Sequence, residues 1–83
     1  MARIDIKYFS KERKGKNVGE QELAIAKYLF TNLNGTEYFQ INMYGTPNRI
    51  EPNPPCEHAS QVIQIDKRTA VYLVNLFKEH FNI

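Results

Sequence analysis

The chain has 83 residues, 42% of them hydrophobic and 24% charged, with a formal net charge of +2. That length makes one domain. The composition is globular rather than disordered, and a single cysteine, Cys56, excludes an internal disulfide framework. No apolar run approaches the roughly 18 residues that span a bilayer. The N-terminus alternates polar and apolar residues, which is not a signal peptide. A reducing, cytoplasmic setting is expected. So short a chain buries only about 60% of the surface that its unfolded form exposes, so a partner or a second copy would widen a thin stability margin.

In chain order, Ile4, Ile6 and Tyr8 alternate with Asp5, Lys7 and Phe9, a strand pattern. The charged loop Ser10–Gly19 follows. Asn17, with Glu20 three residues later, resembles a capping box. Leu23, Ala26, Leu29, Phe30 and Leu33 then share a stripe at helical spacing, which predicts a helix to about Leu33. Asn34-Gly35 ends it, because glycine tolerates the left-handed position beyond a helix. The second strand is Glu37–Tyr44. A proline-rich loop, Gly45–His58, holds all four prolines and includes a short extended piece around Arg49–Glu51. The third strand is Ser60–Ile65. Asp66 is a good N-cap for a last helix, whose stripe is Ala70, Leu73, Val74, Phe77 and Phe81.

The expected fold is α+β, a two-layer α/β sandwich in the order β-α-β-β-α. A small, mostly antiparallel sheet carries both helices on one face. The other face is then open and carries Lys7, Phe9, Tyr38, Gln40, Asn42, Tyr44, Val62 and Gln64. A one-residue slip of register would invert this assignment.

That open face is the first candidate site. In Glu37–Tyr44, the side chains of Phe39, Ile41 and Met43 read as core. Those of Tyr38, Gln40, Asn42 and Tyr44 are uncharged and point the other way. Tyrosine is favoured at protein interfaces where lysine and glutamate are depleted, although aromatic residues are also simply good strand formers. The protein-binding set is Phe9, Tyr38, Gln40, Asn42, Tyr44 and Gln64, with Tyr38 and Tyr44 as anchors. The second candidate is charge. Arg3, Lys7, Lys11, Arg13, Lys14 and Lys16 stand against only Asp5 and Glu12 in the first sixteen residues, and the rest of the chain is slightly acidic. Lys7, Lys11, Arg13, Lys14 and Lys16 could hold phosphates while Phe9, Tyr38 and Tyr44 stack on unpaired bases. The sequence pI of 8.8 lies just below the level of about 9 that marks a nucleic-acid binder. The loop also lacks P-loop spacing.

The third candidate is the proline-rich loop, which is long for a compact domain and pre-stiffened by Pro52, Pro54 and Pro55. Cys56-Glu57-His58 is the one local cluster with reactive side chains, but no third group orients it. One cysteine and two histidines do not make a four-ligand zinc site. Glu20 and Glu22 are explained by a helix N-terminus, and His80 by a helix C-terminus. No metal, cofactor or catalytic set is expected. The leading expectation is a small non-catalytic protein that works by contact with another protein, in the manner of an inhibitor or adaptor from a phage or mobile element. A nucleic-acid binder is the runner-up, and a homodimer formed through the same face or across a strand edge is compatible with either.

Overall fold

The computed structural model describes residues 1–13, 19–45 and 58–83. The elements are β1 (Ala2–Ile4), a 3-10 turn (Ile6–Tyr8), β2 (Ile25–Leu33), β3 (Thr36–Gly45), β4 (Gln61–Asp66) and α1 (Lys67–Phe81). The strands form one sheet in the order β1-β4-β3-β2. β1 runs parallel to β4, and the two other pairings are antiparallel. Among the described residues the class is therefore α+β, with a mixed four-stranded sheet and one helix, which is C-terminal.

The expected first helix is not there. Its apolar stripe lies largely on β2, which pairs along its length with β3 from Leu33↔Thr36 to Ile25↔Gly45. Two features explain the correction. Tyr28-Leu29-Phe30-Thr31 is a run of residues that pack well on a pleated surface. Asn34 (φ 54°) and Gly35 (φ 85°) both sit at positive φ, as a two-residue type I′ hairpin turn requires. The same Asn-Gly pair that suits a helix C-terminus is here a hairpin turn. Asn32 reinforces it: its Oδ1 accepts from the Gly35 N–H at 3.1 Å, and its Nδ2 donates to Glu37 Oε1 at 2.8 Å. The expected cap at Asn17 lies outside the described residues.

The first strand is shorter than expected. It stops at Ile4, and Asp5 turns the chain by accepting the Lys7 N–H at 2.9 Å. Lys7 and Phe9 therefore leave the sheet and do not join its polar face. Phe9 packs edge-on against Tyr72 of α1, with ring centres 5.9 Å apart.

The two strands expected after the first loop are in place, at Thr36–Gly45 and Gln61–Asp66. The cap of the last helix is also as expected, with Asp66 Oδ1 accepting the Thr69 N–H at 2.8 Å. Thr69 is fully buried and donates its hydroxyl to the Ile4 carbonyl at 3.3 Å, tying the helix start to β1. Beyond this point α1 does not lie over the sheet. Its main contacts are with β4 and the 3-10 turn, and Val74, Phe77 and Phe81 of the expected core stripe are exposed. The expected sandwich with two helices on one face is thus replaced by an open sheet with a helix leaving one end.

Among the described residues no apolar side chain is buried, and Thr69 alone is. The radius of gyration is 15.1 Å, against about 12 Å for a compact domain of this length. Phe39, Ile41 and Met43 of β3 and Ile63 and Ile65 of β4, all half-buried, share one face.

Candidate interaction surface

Register divides the sheet into two unlike faces. One carries Arg3, Lys27, Leu29, Tyr38, Gln40, Asn42, Val62, Gln64 and Asp66. Here the amides bond to one another: Gln64 Nε2 donates to Gln40 Oε1 at 3.0 Å, and Gln40 Nε2 donates to Asn42 Oδ1 at 2.8 Å. Arg3 Nη1 donates to the Tyr38 hydroxyl at 3.2 Å. That bond holds the Arg3 guanidinium above its ordinary pKa. Asp66, on the same face, titrates below the usual carboxylate range. The Thr69 backbone N–H is the chief cause, with Arg3 and Arg68 adding attraction. At the far end β3 carries a bulge, where Tyr44 is the extra residue between the pairs Ala26↔Met43 and Ile25↔Gly45. Lys27 Nζ lies 5.3 Å from the centre of the Tyr44 ring. Tyr38, Gln40, Asn42, Tyr44 and Gln64 are all half-buried. Four of these five share one face by register, and Tyr44 borders it across Lys27, but this surface is largely satisfied from within.

The opposite face is the unsatisfied one. Ala26, Tyr28 and Phe30 of β2 stand opposite Met43, Ile41 and Phe39 of β3, which in turn stand opposite Gln61, Ile63 and Ile65 of β4. Tyr28 stacks on Phe39 at 5.6 Å with 22° between planes, and Phe30 meets Phe39 at 5.9 Å and Tyr28 at 6.0 Å. Three aromatic rings thus form one cluster at the sheet's margin. Tyr28 is 68% exposed and Phe30 75% exposed. A helix over residues 25–33 would not form this cluster, because Tyr28 and Phe30 would not share a face. Period-2 alternation of Ala26, Tyr28 and Phe30 was the signal that could have found it.

Among the described residues, β2 is also an edge strand. In a two-residue hairpin the pair next to the turn exchanges both hydrogen bonds, and such pairs alternate along the ladder. From Leu33↔Thr36 onward, Thr31, Leu29 and Lys27 therefore turn their backbone groups toward β3. Ala26, Tyr28, Phe30 and Asn32 turn theirs outward, where no described strand lies.

The basic residues that the sequence grouped are only partly described. Lys14 and Lys16 lie outside the described residues, as do Cys56, Glu57 and the proline-rich loop apart from its ends. Lys7 Nζ sits 5.6 Å from the centre of the Tyr8 ring. Lys11 lines an open cleft of about 520 Å³ with Phe9, Ser10, Tyr72, Leu76 and His80. No β3 tyrosine lines that cleft. A second open depression, about 550 Å³, is also lined by Tyr72, with Ile6, Val71 and Asn75. Among the described residues, no group of three or more His, Cys, Asp or Glu side chains could hold a metal ion, and no helix is long and apolar enough to cross a membrane.

Comparison with known proteins returned no matching family model, no matching curated protein and no matching solved structure.

Proposed function

We propose that this chain is a non-catalytic binding protein that works by protein–protein contact, and that its working surface is the apolar face of the sheet around Tyr28, Phe30 and Phe39. The observation that carries the reading is the exposure of that cluster. Two aromatic rings that are more than two-thirds exposed, set on a face with Ile41, Met43 and Ile63, form a contiguous apolar patch of the kind that marks interaction sites. Aromatic side chains are also the usual hot spots of interfaces. The polar face supports this division of labour, because its amides already bond in part to one another.

The test is a photo-crosslinking amino acid placed at position 30 and, separately, at position 40 on the opposite face. Covalent adducts from position 30 and few from position 40, in the cells that make the protein, are the expected result. Equal adducts from both, or none from position 30, would contradict the assignment of the working face.

A further inference from the structure

We infer that the partner at this surface is a second copy of the same chain, joined edge to edge through β2 in antiparallel register about Leu29. This rests on the contact reading above and names its occupant.

Three observations carry it. The first is hydrogen bonding. The outward backbone groups belong to the even-numbered residues Ala26, Tyr28, Phe30 and Asn32. A two-fold axis through Leu29 brings Tyr28 opposite Phe30 of the second copy and Ala26 opposite Asn32 of the second copy. Each such pair joins two outward-facing residues, so this register is among those that the free groups allow. It overlaps all of Ile25–Leu33 and closes on the order of eight backbone hydrogen bonds. Two-fold strand pairing is self-complementary by construction.

The second is charge. Lys27 is the one charged residue of β2. In this register it stands opposite Thr31 of the second copy. The two lysines are then about 13 Å apart along the strands, beyond the screening length of roughly 8 Å at physiological salt. Centring the pair on Lys27 instead would set like charges face to face. The sheet's other edge, β1, has only three residues, whereas β2 has nine. Edges that must stay unpaired are short or heavily charged.

The third is area. The pairing brings Tyr28 and Phe30 of both copies into one four-ring cluster on the apolar face. At about 200 Å² per aromatic side chain and the exposures above, those rings alone offer roughly 600 Å². The strand backbones, Leu29 and Leu33 bring the total toward the 1,000 Å² or so of a specific interface.

The test is solution mass by light scattering across about 1–100 μM, where an interface of this size is expected to associate. Two variants accompany it. Phe30→Pro removes an outward N–H, which an edge strand tolerates, and should raise the dissociation constant at least about tenfold. Leu29→Cys, made with Cys56→Ser, puts the two thiols directly opposite each other across a non-hydrogen-bonded pair. It should form a disulfide-linked dimer readily, while Thr31→Cys in the same background should not. Circular dichroism at the same concentrations checks that each variant is folded. A mass that doubles with concentration, with cross-linking at position 29 over 31, is the expected result. A monomer throughout, or equal cross-linking at both positions, overturns the pairing. A monomer whose position 30 still cross-links to a different protein overturns the second copy as occupant while leaving the contact reading standing.

Discussion

Asp66 closes the N-terminus of α1, and its replacement gives a worked prediction. Its Oδ1 accepts the Thr69 N–H at 2.8 Å. Removing such a cap costs about 1 kcal/mol, with a range of roughly 0.5–2. The helix start is also tied to β1 through Thr69, so Asp66→Ala should fall in the upper half of that range. Asp66→Asn keeps an acceptor oxygen but removes the charge that Arg3 and Arg68 attract, and should cost a few tenths of a kcal/mol. The assay is urea unfolding followed by far-UV circular dichroism, since the chain has no tryptophan. For a domain this small, 1 kcal/mol corresponds to a shift in Tm of about 4–8 °C. The folded-state pKa of Asp66 is lowered, so the carboxylate's contribution is fully present above its unfolded value, about 3.9. That contribution is lost as pH falls through the folded value, and wild type and Asp66→Asn should converge in that acidic window. Equal losses for Ala and Asn at neutral pH, or a difference that widens on acidification, would refute the cap.

Other outcomes follow from the same geometry. Gly35→Ala forces a Cβ onto φ 85° with no neighbour within 4 Å to clash, so backbone strain alone should cost about 1 kcal/mol in denaturant unfolding. Phe9→Ala removes the edge-on contact with Tyr72 and should cost about 1–2 kcal/mol in the same assay, with faster amide exchange in the first turns of α1. Gln40→Ala takes out the middle of the amide ladder and should cost about 1 kcal/mol without altering contact through the opposite face. Phe30→Ser removes a largely exposed side chain that meets Phe39 and Tyr28, and should cost the isolated protein about 1–2 kcal/mol. It should also abolish most photo-crosslinking from neighbouring Tyr28, in protein that circular dichroism shows to be folded.

How far the sequence reached depends on where local and long-range signals agree. Asp66 followed by Ala70, Leu73, Val74 and Phe77 has a cap and a period that both say helix, and α1 is there. Phe39, Ile41 and Met43 alternate with Tyr38, Gln40 and Asn42, and the structure keeps them on opposite faces. Residues 25–33 carry both periods, because Ala26, Leu29, Phe30 and Leu33 suit a helix while Ala26, Tyr28 and Phe30 suit a strand. Within the segment, only the strand preference of Tyr28, Phe30 and Thr31 leans one way. The pairing with β3 decides, and that is a long-range property. Asn34-Gly35 was the local tie-breaker, since two consecutive positive-φ residues close a hairpin better than they end a helix. Taken as a helix C-terminus, that turn leaves Tyr28 and Phe30 off the sheet, and only the uncharged face of β3 stands out in the sequence. The amide ladder there depends on which strands are neighbours, as does the removal of Phe9 to the helix side.

Residue-resolved amide exchange along β2 tests the open edge most directly. In dilute protein, Lys27, Leu29 and Thr31 should exchange slowly and Ala26, Tyr28, Phe30 and Asn32 quickly, because only the first group bonds to β3. Raising the concentration should slow the second group and erase the alternation. Slow exchange at Tyr28 and Phe30 already in the dilute monomer would mean that the chain covers its own edge. An alternation that persists at every concentration would mean that β2 does not pair with a second copy.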